Sequence, residues 1–260
     1  MPANPEARSL AVFCDFENVA LGVREAKYAQ FDMDKVLERL LLKGSIVVKK
    51  AYCDWERYKE FKPAMHAASF EMIEIPHLRQ SGKNSADIRM VVDALDLCYT
   101  KEHVDTFVIV SGDSDFSPLV SKLRENAKTV IGVGVKNSSA DLLINNCDEF
   151  IYYDDLVRQD EQKRRAAKKR REAAPAGEDK KQEAFDVVLE TLNALIAERG
   201  AEEKIWGSMV KQALKRRKPG FNESYYGFRA FSDLLEEMQQ KGLIKLDPDE
   251  KSGGYLIRPA

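Results

Sequence analysis

Residues Thr106 to Glu125 read TFVIVSGDSDFSPLVSKLRE, and the arrangement of this stretch decides how the rest of the chain is organised. Thr106 to Val110 is a β-branched and aromatic run with the length of a buried strand. It enters Ser111-Gly112-Asp113-Ser114-Asp115-Phe116, after which SPLVSKLREN carries apolar residues at helical spacing, with Ser117 as the expected cap and Pro118 in the first helical position. The same alternation recurs on both sides. Leu10 to Phe13, Ser45 to Tyr52, Glu71 to Pro76 and Thr129 to Val135 are strand-like runs. MDKVLERLLLK, ERYKEFKPAMHAASF and SADIRMVVDALDLCY have helical periodicity. Strand and helix in alternation predict an α/β domain, a mostly parallel sheet flanked by helices, whose ligands bind beyond the carboxyl ends of the strands.

The pattern ends near residue 157. Residues 158–182 are charged and alanine-rich without strand signal, a basic linker that could extend a helix from Tyr153 until Pro175 and Gly177 stop it. Beyond it, AFDVVLETLNALIAE, IWGSMVKQALKRR and FSDLLEEMQQKG predict three helices, and LIKLDP and GYLIRP predict a two-stranded ribbon around DEKSGG. That is the pattern of a small winged helix-turn-helix domain over 183–260.

The net charge of −2 conceals an uneven distribution. Residues 1–157 carry 19 basic and 25 acidic side chains, 158–182 carry 10 and 5, and 183–260 carry 12 and 13. An acidic domain that handles nucleic acid needs cations and a basic tether to offset its repulsion of phosphate. Four scattered cysteines and three unclustered histidines argue against a zinc site or a disulfide framework. No run approaches the length of a membrane span and the N-terminus lacks a secretion signal, so the expectation is a cytoplasmic chain without membrane contact.

Acidic residues recur where such a sheet would bind a ligand. Asp15 closes the first strand in Cys14-Asp15-Phe16-Glu17-Asn18, Asp113 and Asp115 follow the strand at 106–110, and Asp87 opens a helix with Asp93 further along it. A lone aspartate at such a place is more often a cap; agreement among several points to a site. Mg²⁺ or Mn²⁺ takes hard oxygen ligands, and its bound water is a usable nucleophile near neutral pH. Lys136, Asn137, Ser138 and Ser139 are expected at a helix start, where free N–H groups could hold phosphate, although capping explains the serines equally well. Gly132-Val133-Gly134-Val135 lacks the third glycine of a dinucleotide loop and reads as strand and turn.

CDFENV, KNSADIRMVVDAL, VIVSGDSDFSPLVSKLRE and KTVIGVGVKNSSADLLINNCDEFIYYDDL together resemble the NYN domain, a branch of the PIN-like ribonucleases, across most of residues 9–156. The resemblance implies a metal-dependent endoribonuclease with Asp15, Asp87, Asp113 and Asp115 as catalytic metal carboxylates, Asn18 beside them and Asp93 as a further ligand. Glu17 reads as a solvated neighbour. The chain departs from the family's Lys-Gly-x-Asp loop in having Lys83-Asn84-Ser85-Ala86-Asp87, one residue longer. A non-catalytic RNA-binding regulator is the alternative. A phosphatase with Asp15 as nucleophile is disfavoured, because the Asp-Thr pattern is missing after it.

IWGSMVKQALKRRKPGFNESYYGFRAFSDLLEEM resembles the OST-HTH or LOTUS domain, which implies RNA binding or, as in some relatives, a protein partner. The residues themselves offer a basic cluster, Lys211, Lys215, Arg216, Arg217 and Lys218, next to Tyr225, Tyr226 and Arg229, combining phosphate contacts with stacking faces. Phe221, Phe228 and Phe231 read as core. The partner expected is therefore RNA, with a protein partner for this module and a homodimer left open.

Overall fold

The computed structural model describes residues 8–28, 30–75, 85–162, 179–200, 203–249 and 254–260. They fall into two compact units, divided between Ala167 and Lys168.

The first unit holds six strands, β1 (Arg8–Asp15), β2 (Gly44–Cys53), β3 (Glu71–Glu74), β4 (Thr106–Val110), β5 (Thr129–Gly134) and β6 (Glu149–Tyr152). They form one sheet in the order β3-β2-β1-β4-β5-β6, and every pairing is parallel. Strand β6 lies in a stretch that the apolar runs did not single out, because only four residues pair there. The helices are α1 (Phe16–Glu25), α2 (Met33–Lys43), α3 (Lys62–Ala67), α4 (Ser85–Thr100), α5 (Ser117–Glu125), α6 (Asp141–Asn146) and α7, described over 153–162. The run ERYKEFKPAMHAASF is helical only in part: Lys59–Phe61 is a 3₁₀ turn and Lys62–Ala67 is α-helical, with Pro63 in its first turn. The rest of the 158–182 linker, 163–178, lies outside the described residues.

Strand β1 sits at the centre and is buried from Leu10 to Asp15. Alternation splits its side chains between two cores. Leu10, Val12 and Cys14 face the cluster that includes α1 and α2 residues. Ala11 and Phe13 join Met90, Ala94, Leu119 and Val120 of α4 and α5. Chain order runs outward from β1 to β3 on one side, returns, and continues from β4 to β6 on the other. The reversal lies between β1 and β4, and a parallel sheet opens its ligand crevice at that point. Cys14, Cys53 and Cys98 are buried and Cys147 is half-buried, all as free thiols. Gly132 lies under the Phe150 ring, where a Cβ would come within 2.4 Å of Cδ2. Close packing of β5 against Phe150 of β6 accounts for this glycine.

The second unit orders α8 (Asp179–Arg199), β7 (Ile205–Trp206), α9 (Gly207–Arg217), α10 (Phe231–Gln240), β8 (Ile244–Asp249) and β9 (Gly254–Pro259). The expected ribbon is a three-stranded antiparallel sheet in the order β7-β9-β8. The extra strand is two residues long, too short to carry a periodic signal. Phe228 and Phe231 are core residues, whereas Phe221 is half-buried. Among the described residues, no helix is long and apolar enough to cross a membrane.

Candidate active site

Asp15 ends β1 and caps α1, its Oδ1 accepting a long 3.4 Å hydrogen bond from the Asn18 backbone N–H. It is 7% exposed. The Ser111 hydroxyl, at the end of β4, donates to its Oδ2 at 3.0 Å and accepts from the Asp113 N–H at 3.2 Å. Asp113 in turn accepts from the Asp115 N–H at 2.9 Å, which fixes the turn into the short 3₁₀ segment Ser114–Phe116. The Asn18 side chain accepts from the Gly112 N–H at 2.9 Å. Gly112 is required there: a Cβ would come within 2.5 Å of the Ser138 carbonyl oxygen. The two adjacent strand ends are thus tied by Ser111 and Asn18 into one rigid edge.

Burial pushes the Asp15 carboxyl up to about 7 from 3.8, and the charge of Asp87 adds to it; the bonds from Ser111 and Asn18 oppose the rise. Asp87, in the first turn of α4, is pushed up to about 6, by burial first and then by Asp113, Asp115 and Glu17. Asp15, Asp87, Asp113 and Asp115 therefore sense one another, and among the described residues none is neutralised by an ion pair. Glu17 joins them electrostatically while its side chain pairs with Arg57 at 3.2 Å, more than the solvated neighbour expected from sequence. Ser111 stands in the quoted SGDSD motif, but a hydroxyl gains weight only once β4 is known to lie beside β1.

Asp93 is held elsewhere. It accepts from Tyr52 Oη at 2.9 Å and Arg89 Nε at 3.1 Å, and lies 3.5 Å from Lys50 Nζ. Six residues of helix separate it from Asp87, roughly 9 Å of rise and 240° of rotation, which turns it to another face. It fastens α4 to β2. Ser138 also departs from expectation, because residues 136–139 form a turn and α6 begins only at Asp141. Its N–H donates to Val135 O at 3.1 Å, and its carbonyl oxygen closes over Gly112. Ser138 supports the aspartate loop and does not offer a helix terminus. The Ser117 hydroxyl caps nothing: Phe116 occupies the cap position, and Ser117 Oγ is buried without a hydrogen-bond partner among the described residues.

The oxygen-only donor set suits a hard divalent cation. Among the described residues, however, no three His, Cys, Asp or Glu side chains are arranged as a ready ligand shell. A Mg²⁺-type ion does not require one, since it keeps several waters and takes one or two carboxylates together with substrate phosphate. The residues fit such an ion.

In the second unit, the structure divides the proposed basic cluster. Arg217 is a packing residue: its guanidinium donates to Glu190 Oε1 at 2.9 Å and Thr191 Oγ1 at 3.2 Å, joining α9 to α8 with 5% side-chain exposure. Lys211 pairs with Glu223 at 2.9 Å and lies 5.6 Å from the Phe231 ring centre. Lys215, Lys218 and Arg229 are exposed, and Arg216 is half-buried beside them. Tyr226 stacks on Phe221 at 5.3 Å and meets Tyr225 edge-on, so one of its faces is taken. Tyr225 is 63% exposed, with Lys180 Nζ 4.8 Å from its ring centre.

Comparison with known proteins places the first unit. The NYN domain matches residues 9–154. The chain is 30% identical over 125 residues to the uncharacterized protein MJ0482 of Methanocaldococcus jannaschii, covering 48% of this chain. It spans about half (49%) of that relative's length. A protein of unknown function from Vibrio parahaemolyticus, VPA0982, superimposes with a TM-score of 0.52 at 27% identity, over 59% of this chain and 97% of that one.

Proposed function

Because the chain belongs to the NYN domain family, a branch of the PIN-like nuclease superfamily, we propose that its first unit is a divalent-metal-dependent endoribonuclease that hydrolyses RNA phosphodiester bonds. The observation that carries this reading is the group of carboxylates at the sheet reversal, without an ion-pair partner among the described residues, two of them pushed toward neutrality by burial and by neighbouring carboxylates. Native structures seldom keep such charges together without a ligand. Mg²⁺ or Mn²⁺ bound there would supply an activated water and neutralise phosphate charge.

The chain's own residues would then have separate tasks. Asp15, Asp113, Asp87 and Asp115 would hold the ion. Ser111 aligns Asp15 with Asp113, and Asn18 keeps Gly112 and its loop in place. The acidic edge repels phosphate unless cations are bound, so the second unit has to help retain RNA. Lys215, Lys218 and Arg229, with Tyr225 as a stacking face, suit that task in the manner the OST-HTH or LOTUS resemblance implies.

The test incubates labelled RNA, single-stranded DNA and a phosphate monoester with the chain in Mg²⁺, in Mn²⁺ and in chelator. RNA cleavage lost in chelator is the expected result; hydrolysis of the monoester alone would overturn the reading. The lack of a preformed three-ligand shell among the described residues favours a second reading, an RNA-binding regulator. That reading predicts RNA retention without cleavage in either metal.

A further inference from the structure

Beside the carboxylates lies a groove of about 690 Å³ whose apolar wall the proposed chemistry does not use. Helix α4 lends it Ile88 and Val92, α5 lends Pro118, and α6 lends Leu142. Ile88, Val92 and Leu142 are 63%, 56% and 59% exposed, high values for aliphatic side chains so close together. Asp87 and Asp115 also line the groove, which makes it continuous with the acidic edge. Ser117 lines it too, and its residue is only 5% exposed. Its buried Oγ, partnerless among the described residues, is an arrangement that native structures rarely tolerate without a ligand or water to satisfy it.

We propose that this groove is a nucleobase subsite: it takes the base of a nucleotide next to the scissile phosphate, between the aliphatic side chains of α4, α5 and α6, with Ser117 Oγ, enclosed in its present rotamer, turning about the Cα–Cβ bond to meet the base edge. The subsite rests on the ribonuclease reading for its place beside the cut, but not for its ability to bind a base. Among the described residues the lining contains no Lys, Arg or His and does contain two aspartates, a setting that disfavours a phosphate group. A flat heteroaromatic ring fits, since its faces are apolar and its edge carries donors and acceptors. Ser121 adds a second hydroxyl, which donates to Ser117 O at 3.2 Å and can still accept. The volume lies within the range of small-ligand pockets. A second copy presenting the same face suits the groove less well, because docking would strip water from Asp87 and Asp115 and set them against two further aspartates.

Methyl NMR of the full chain in chelator, titrated with adenosine, guanosine, cytidine and uridine at millimolar concentration, tests the subsite without metal, phosphate or catalysis. The Ile88, Val91, Val92 and Leu142 methyls should shift, most for one base, while the buried Val36 and Leu40 methyls stay still. Val92→Asp, at an exposed position, should abolish the shifts with the other methyl resonances retained. Ser117→Ala should keep the fold and reduce the preference among bases by about tenfold, as expected for loss of a hydrogen bond that reads the base edge. Methyls that do not move with any nucleoside overturn the proposal. So do groove shifts that depend on protein concentration alone and accompany a doubling of sedimentation mass, the signature of a homodimer on this face. Nucleoside shifts in a chain that cleaves no RNA support the subsite and remove the hydrolytic reading; RNA cleavage without nucleoside shifts does the reverse.

Discussion

The carboxyl end of the parallel sheet and the C-terminal end of α9 each gather charge of one sign in sequence, and the fold handles them in opposite ways. At the sheet end, burial first and then like-charged neighbours push the Asp15 and Asp87 carboxyls up to about 7 and about 6. Nothing within the described structure neutralises them. At the end of α9, Arg217 is gripped by Glu190 and Thr191, and in the middle of the same helix Lys211 is held by Glu223. A charge whose partners lie inside the protein positions a helix. A charge held against like neighbours raises the energy of the free protein, and a bound cation would relieve it.

The largest effect that tests this contrast is catalytic. Asp113→Asn keeps the acceptor for the Asp115 N–H but removes a negative charge from the acidic edge. RNA cleavage in Mg²⁺ should fall roughly 100-fold, with the melting temperature almost unchanged; undiminished cleavage would remove Asp113 from the site. Next is Arg217→Ala, which strands the half-exposed Glu190 and opens the joint between α8 and α9. The second unit should lose about 2 kcal/mol, at the low side for breaking a buried pair because Glu190 reaches solvent, as read by denaturant unfolding. Weakened RNA binding at unchanged stability would return Arg217 to an RNA-contacting role.

A smaller effect is the pH dependence of the metal-free chain. An unfolded aspartate releases its proton near pH 4, whereas folded Asp15 and Asp87 hold theirs up to about 7 and 6. Between those limits the folded state binds more protons, so stability falls as pH rises from about 4 to about 7. Asp15→Asn should therefore melt higher than the unsubstituted chain at pH 8 in chelator, with the difference shrinking toward pH 4 and reduced by added Mg²⁺. A difference that grows on acidification would contradict the like-charge account. Smallest is the double substitution Lys215→Ala with Lys218→Ala. If both lysines contact phosphate, the log-log salt dependence of RNA affinity should flatten by about 1.4, at about 0.7 per contact on single strands, with no change in melting temperature. An unaltered slope would point to a protein partner for this unit.

The fold class and the positions of the acidic residues are legible in the sequence. Periodicity alone gave the alternation of strands and helices, because burial on both faces of a parallel sheet leaves continuous apolar runs that few other arrangements tolerate. The positions of Asp15, Asp113 and Asp115 followed, since each ends or follows such a run. Strand β6 and strand β7 were missed because four and two residues are too few to show a period.

Sequence by itself determined the class of fold, the acidic residues at the strand ends, and the division between an acidic α/β region and a helical region with a basic cluster. It could do so because these features are local: a run, a turn or a charge count within a few residues. Only the tertiary structure decided which charges remain uncompensated. Asp93 and Asp87 share a helix, yet the roughly 240° between them sends one to Tyr52 and the other to the carboxylates. Arg217 and Lys218 are adjacent, yet α8 buries one and leaves the other in solvent. Ser111 matters because β4 pairs with β1, across 96 residues of chain. Whether a side chain is a ligand, a fastening or a surface charge depends on partners distant in sequence, and packing alone brings those partners within hydrogen-bonding reach.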